Sequence, residues 1–316
     1  MRPTSPDIAD CDPPVWILTG PTAAGKTSLA LELAEIEDLE ILSMDSMAVY
    51  RRMDIGTAKP SPAERARIPH HLLDLVEPSE DFDTNRWCAA AQSAVADIRS
   101  RGKRPLFVGG TPLYLMAFFK GMVQGPSAMP EIRDRLTARE QETPGCLHRE
   151  LIEKDPEAAE RIHVHDLKRL VRALEYHEVT GEKISSRRGQ FDSPDWRVPC
   201  RIAAVRRERE QLHDRVKRRT ITMLDDGLLD EVTAIRDDCG FSKTAAAAIG
   251  YAECLRHLDV GYKDLEELRN MIRRSTHGLI RRQTTWLRRI PEVQWIEADT
   301  RAEALRTILL PIGGKS

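Results

Sequence analysis

The chain has 316 residues, 41% of them hydrophobic and 31% charged, at a formal net charge of −2. This composition fits a globular and not a disordered chain, and it excludes binding of nucleic acid through overall positive charge. Six cysteines, at 11, 88, 146, 200, 239 and 254, show neither zinc-ligand nor redox spacing, and no apolar run approaches the ~20 residues that span a bilayer. A disulfide scaffold and a membrane protein are therefore excluded as well. Residues 1–14 lack a charged-then-apolar secretory signal, so a short loose leader on a cytoplasmic protein is expected.

In chain order, residues 15–18 (Val-Trp-Ile-Leu) form a short apolar run ending at Gly20, the pattern of a buried parallel strand. Residues 28–37 follow with helical spacing, and 40–44 predict a second strand. Residues 84–101 set Trp87, Ala90, Ala91, Val95 and Ile98 on one helical face, before a third strand at 104–108 closed by Gly109-Gly110. Strands alternating with helices predict an α/β fold with a doubly wound parallel sheet. After Gly125-Pro126 the strand pattern stops. Helices are expected at 131–142, 147–153 and 166–179, the last capped by Gly181, and a Pro- and Gly-punctuated stretch, 189–199, leads to a strand at 201–205. Long helices at 209–237 and 264–289, a strand at 293–296 and a terminal helix complete the chain. The implied organisation is a core in two parts, 1–127 and 206–316, with a helical insertion at 128–205.

Gly20-Pro21-Thr22-Ala23-Ala24-Gly25-Lys26-Thr27 matches G-x-x-x-x-G-K-[ST], with the required strand before and helix after. Glycines let the backbone wrap an anion, successive amides and the helix N-terminus point at phosphates, Lys26 adds a point charge, and the Thr27 hydroxyl can hold Mg²⁺. Such a cradle identifies a polyphosphate and not a reaction. The usual expectation, ATP or GTP chemistry, wants an apolar strand ending in Asp. The third strand ends instead in Gly109-Gly110-Thr111, and the better acidic candidate is Asp45 after the second strand. In a doubly wound sheet the ends of adjacent strands meet over one crevice, which places Asp45 near Lys26.

Beyond the cradle the chain resembles the tRNA dimethylallyltransferases over nearly its full length, from about 15 to 296. Gly20–Thr27 is similar to that family's GPTASGKT, residues 45–50 (DSMAVY) to its DSMQVY, 53–60 to MDIGTAKP, 68–71 to IPHH and 109–114 (GGTPLY) to GGTGLY. Arg172-Ala173-Leu174-Glu175 with Thr180-Gly181, Ile249-Gly250-Tyr251 and Arg282-Gln283-Thr284-Thr285-Trp286 keep family order. MDIGTAKP is far more specific than the cradle, because no general phosphate chemistry demands it. Ala24, Ala48 and Pro112 depart from the family's Ser, Gln and Gly, and residues 276–283 read THGLIRRQ in place of TRQYAKRQ, with His277 where the family has Arg.

The resemblance implies a P-loop NTPase-like fold, dimethylallyl diphosphate as donor, and the exocyclic N6 amine of adenine at tRNA position 37 as acceptor. An exocyclic amine is a weak nucleophile and needs a carboxylate to take its proton, for which Asp45 is the candidate. The leaving diphosphate needs its developing charge neutralised. Lys26, the cradle Gly20–Thr27, Mg²⁺ on Thr27 and Arg219 would supply this, and the resemblance gives Thr111 a substrate-contacting hydroxyl. A stacked adenine must be flipped out to react, which predicts a basic platform for the anticodon stem-loop. Residues 1–100 hold 9 basic against 17 acidic side chains, whereas 201–290 hold 19 against 14, and 269–289 hold seven arginines and no acid. The expected tRNA-contacting set is Asp45, Ser46, Met47, Ala48, Thr111, Arg133, Lys168, Arg169, Arg172, Gly250, Tyr251, Arg281 and Arg282. The protein is expected to act as a monomer and without a membrane.

Three other readings stay open. A P-loop kinase of a small metabolite is favoured by the cradle but disfavoured by the Gly-Gly-Thr strand end. A prenyltransferase of free adenine nucleotides would not need the basic helices. A non-catalytic RNA-binding protein would need neither the cradle nor Asp45. The pairs His70-His71 and His163/His165 lack the further ligands of a zinc site.

Overall fold

A computed structural model describes residues 14–121, 129–187, 196–261 and 264–309. The expected leader, the Gly125-Pro126 break with the insertion start at 128, and most of the Pro- and Gly-rich stretch from 189 lie outside these residues. The first unit runs up to Phe119 and resumes at Arg197; the second is Lys120–Trp196.

The first unit is built on six parallel strands: β1 (Val15–Thr19), β2 (Leu39–Ser43), β3 (His70–His71), β4 (Arg104–Val108), β5 (Cys200–Arg206) and β6 (Val293–Glu297), in the order β3-β2-β4-β1-β5-β6. The insertion therefore ends before β5, and not at 205 as expected, because β5 pairs with β1 and β6 inside the sheet. The two-residue β3 carries no apolar pattern. It is held by its register against Ile41 and Leu42 and by His71, whose Nε2 lies 2.7 Å from the carboxylate of buried Glu40. Arg101 also binds that carboxylate, at 2.8 Å through Nη2, and chiefly for this reason the Glu40 pKa lies below its usual value.

Helices cover both faces, as a doubly wound sheet requires. On one face α1 (Lys26–Glu37) packs with a helix at Ala302–Leu309, burying Trp16, Leu18, Ile41, Leu106, Ala203 and Ile296 against Leu29, Leu33 and Leu305. On the other face lie α2 (Thr84–Ser100) and α3 (Pro112–Phe119). Trp87 of α2 stacks on Tyr114 of α3 with ring centroids 4.3 Å apart, and Phe107 of β4 meets Trp87, Phe118 and Phe119. The helix expected at 209–237 is two, α4 (Arg209–Asp225) and α5 (Leu228–Asp238). Gly227, at φ 96°, takes the left-handed conformation that ends the first of them. Downstream come α6 (Tyr251–Val260) and the 23-residue α7 (Leu265–Leu287), which packs on α4.

The second unit is helical, with segments at Pro130–Glu142, Cys146–Lys154, Pro156–Arg161 and Leu167–Thr180 around Leu136, Leu147, Leu151, Leu170 and Leu174. Glu175 is fully buried there. It accepts from Arg133 Nε at 2.7 Å, Arg172 Nη1 at 2.7 Å and the Met129 amide at 2.8 Å. Burial alone would raise its pKa, but these bonds bring it below the usual carboxylate value. Among the described residues of both units no helix is long and apolar enough to cross a membrane.

Phe107 is completely buried among three aromatic partners. Phe107→Ala should cost about 3–5 kcal/mol, read as a lower denaturant midpoint in equilibrium unfolding.

Candidate active site

The cradle forms where β1 ends and α1 begins. Gly25 caps α1 at φ 107° with no side-chain hydrogen bond, so the first amides of the helix stay available to an anion. Gly20 must be glycine because its backbone, at φ 138°, passes Val205 so closely that a Cβ would lie 2.6 Å from that carbonyl oxygen.

Three arginines bond to the loop. Arg215 of α4 donates to the Ala23 carbonyl at 2.7 Å, Arg207 just before α4 donates to the Ala24 carbonyl at 3.2 Å, and Arg219 reaches the Thr22 hydroxyl at 3.4 Å. Lys26 turns its ammonium back onto the Gly20 and Pro21 carbonyls at 3.0 and 2.8 Å. Desolvation lowers its pKa to about 8; Asp45 acts in the opposite sense and Arg219 reinforces the drop. Arg219 is likewise lowered by burial, with Asp45 pulling its pKa back up. Both shifts arise because Lys26, Asp45 and Arg219, from three separate stretches of chain, share one poorly solvated space.

That space is a cavity of about 410 Å³ lined by Thr22, Lys26, Thr27, Asp45 and Arg219, with Gly109 and Gly110 at a strand end and Gln283 of α7. Asp45 is held in an Asx turn by the Met47 amide at 2.8 Å, and the Thr111 hydroxyl accepts from the Ser46 amide at 3.2 Å. Gly109 lets these two strand ends meet, since a Cβ there would lie 2.1 Å from the Met44 carbonyl oxygen. Thr27 and Asp45 offer hard oxygen donors in the same cavity, which fits Mg²⁺ held by few protein groups and completed by phosphate oxygens and water.

The wall opposite the cradle is the loop 53–60. Glu231 of α5 accepts the Asp54 and Ile55 amides at 3.0 and 2.9 Å and the Tyr251 hydroxyl. A Cβ on Gly56 would sit 2.3 Å from the Tyr251 ring. Lys59, with its side chain only 1% exposed, binds the Tyr50 carbonyl, Asp54 and Asp74. The run Met53–Pro60 at this loop is thus a packing device whose Thr57, Ala58, Lys59 and Pro60 face the cavity.

Of the residues expected from sequence, Thr22, Ala23, Gly25, Lys26, Thr27, Asp45, Ala48 and Arg219 converge on the cavity, and Thr111 lies one hydrogen bond away at Ser46. Tyr251 does not fit its expected contact with RNA. It is completely buried and bonded to Glu231, and Gly250 is buried with it. Ala48 is only 5% exposed and serves the cavity wall. In the second unit Arg133 and Arg172 direct their charge at Glu175, while Lys168 and Arg169 are exposed, Arg169 pairing with Asp166. Arg281 and Arg282 are exposed on α7. Arg207, Arg215, Lys59 and Gln283 were not expected at the site. Gln283 stood inside a recognised run, but its role depends on a contact 261 positions away in sequence. No group of three or more His, Cys, Asp or Glu side chains suited to a metal occurs among the described residues.

The IPP transferase family model matches residues 48–290, and the isopentenyl transferase model matches 13–74. The chain belongs to the IPP transferase family. It is 42% identical over 281 residues to the tRNA dimethylallyltransferase of Thermotoga neapolitana, covering 88% of this chain and 90% of that one. It is 43% identical over 294 residues to the enzyme of the same name from Methylococcus capsulatus, covering 91% and 93%. A solved tRNA isopentenylpyrophosphate transferase from Bacillus halodurans superposes with a TM-score of 0.67 at 33% identity, over 93% of this chain and 94% of that one. A eukaryotic dimethylallyltransferase solved acting on tRNA gives a TM-score of 0.76 at 28% identity, over 93% and 77%. Membership in the IPP transferase family makes this chain a transferase, and neither a kinase nor a non-catalytic RNA-binding protein.

The Lys26 shift makes anion binding pH-dependent. The ammonium is charged below about pH 8 and loses its proton above it, while a bound anion favours the charged form. Affinity for Mg²⁺-diphosphate should fall as pH rises from 8 towards 10. Titration calorimetry across that range checks this, and Lys26→Ala should remove the dependence.

Proposed function

We propose that this chain transfers a dimethylallyl group from dimethylallyl diphosphate to the exocyclic N6 amine of adenine at tRNA position 37, releasing diphosphate. The observation that carries the reading is the convergence of Lys26, Asp45 and Arg219 on one cavity at the mouth of an anion cradle. The lining of this cavity sets the cations Lys26 and Arg219 and the carboxylate of Asp45 together with the apolar and small residues Ala48, Ala58, Pro60 and Leu279. That combination suits a donor with a charged head and a short hydrocarbon tail.

In the proposed reaction the adenine N6 forms a bond to C1 of the dimethylallyl group as the C1–O bond breaks. The electron pair of that bond leaves with the diphosphate, and the proton from N6 passes to Asp45. The Asx turn fixes the Asp45 carboxylate for this role, with Oδ1 occupied by the Met47 amide and Oδ2 free of that bond. Lys26 and Arg219, poorly solvated, lower the energy of the departing anion more than they would in water. Thr27 would hold Mg²⁺, which supplies additional neutralisation of the diphosphate when bound. Thr111 keeps Ser46, and with it the Asp45 turn, in register with β4. The cradle would also accept a nucleotide, so ATP competes for the same amides in this reading.

The acceptor is delivered by the anticodon stem-loop. Exposed Arg281 and Arg282 on α7, and Lys168 and Arg169 in the second unit, offer phosphate contacts. Tyr251 and Gly250 drop out of that set because they are buried. The same reading has the chain acting in the cytoplasm as a monomer.

The test is transfer of label from radiolabelled dimethylallyl diphosphate, with Mg²⁺, to unmodified tRNA carrying adenines at positions 36 and 37. Asp45→Asn should lower the rate by about 10²–10⁴-fold while leaving RNA affinity within about twofold. Label appearing on free adenosine monophosphate and not on RNA would replace the tRNA reading with the nucleotide one.

A further inference from the structure

The residue that ties the cradle to the rest of the site is one to which the reaction assigns no role. Gln283 lies in the middle of the last turns of α7 and is 7% exposed. Its side-chain carbonyl accepts the Thr22 amide at 2.9 Å, and its side-chain amide donates to the Gly110 carbonyl at 2.7 Å. The orientation is determined by chemistry. A main-chain N–H can only donate and a main-chain carbonyl can only accept, so a flipped amide would oppose like with like at both ends. The fit is close, since a Cβ on Gly110 would lie 2.5 Å from Gln283 Nε2. Gln283 therefore bridges three stretches of chain: the cradle, the end of β4, and α7.

Thr22 is where this bridge meets the chemistry. Its amide is taken by Gln283 and its hydroxyl receives Arg219. The amide of Thr22 is thereby withdrawn from the phosphates, and the position of its hydroxyl limits where the Arg219 guanidinium can stand. Any slip of Thr22 moves both the first turn of the cradle and Arg219, which shares the cavity with Asp45.

We propose that Gln283 is a positioning residue for the diphosphate of the donor, setting through Thr22 the register of the cradle and of Arg219. The inference rests on the reading above that the cavity takes a diphosphate.

Two variants test it. Gln283→Met keeps the volume and removes both hydrogen bonds. Gln283→Glu, when ionised, can still accept from the Thr22 amide but faces the Gly110 carbonyl without a proton and adds charge beside the diphosphate. When protonated, the same side chain reproduces both bonds of the native amide. The probe is inorganic diphosphate with Mg²⁺, followed by titration calorimetry, alongside steady-state kinetics of transfer.

The expected result for Gln283→Met is a Kd for diphosphate and a donor KM each raised about tenfold, with KM for the RNA unchanged. Gln283→Glu should bind more weakly than Gln283→Met at pH 7.5 and recover towards the native value as pH falls towards 5, where the native protein shows no such gain. A general loss of stability would lower the active fraction of protein without this split between donor and RNA and without a pH-dependent rescue. Native donor KM and Kd in Gln283→Met, or no recovery in Gln283→Glu, would overturn the proposal. Should Gln283→Met fail to fold, the pH profile of Gln283→Glu decides alone. A native protein that binds no diphosphate would overturn the reading of the cavity and this inference together, whereas native binding with indifferent variants overturns the inference only.

Discussion

Everything at this site depends on satisfying the carbonyls of a tight loop. A loop that wraps an anion has its amide dipoles pointing in, and each such amide forces its peptide carbonyl towards the protein. Here Arg215 and Arg207 satisfy the Ala23 and Ala24 carbonyls, and Lys26 satisfies those of Gly20 and Pro21 until an anion claims its charge. Ala23 is held at φ 64°, a left-handed conformation that costs a non-glycine residue energy and needs support from its surroundings. The arginine grip provides that support. It also gathers positive charge around the cradle before any ligand arrives.

The concentration of charge has a visible consequence. Lys26, Arg215 and Arg219 all have lowered pKa values, with burial as the leading cause and neighbouring cations adding to it. Asp45 is the one acid that counters this for Lys26 and Arg219. The cations crowded here suit a multiply charged anion, and a poorly solvated environment strengthens the effect of each cation on such an anion.

The wall facing the cradle obeys a different rule. The loop 53–60 is organised by one carboxylate, Glu231, and one buried ammonium, Lys59, each with several partners. Buried charges persist when they are fully hydrogen-bonded, and such networks fix a unique conformation. This explains why the run Met53–Pro60 carries so specific a sequence without containing an obvious catalytic group. It also explains why Tyr251, placed among RNA contacts by resemblance, belongs to the interior: its hydroxyl is part of the Glu231 network and its ring closes over Gly56.

The sequence by itself determined the cradle, its flanking strand and helix, the parallel alternating fold, the family, and the placing of Asp45 beside Lys26. All of these rest on local pattern or on the geometry shared by every doubly wound sheet. Where local signals were weak the boundaries shifted: a two-residue strand at His70–His71 has no periodicity to detect, and Gly227 divided a helix that apolar spacing alone would continue. Only the tertiary structure decided which basic residues face the cradle and which neutralise an internal acid. The resemblance set Arg219 at the diphosphate. Arg215, however, looks no different in sequence from Arg133 and Arg172, yet Arg215 meets Ala23 and the other two meet Glu175. The physical reason is that a charge takes its role from its partner, and these partners come together only when distant segments pack, as Gln283 does with Thr22 and Gly110.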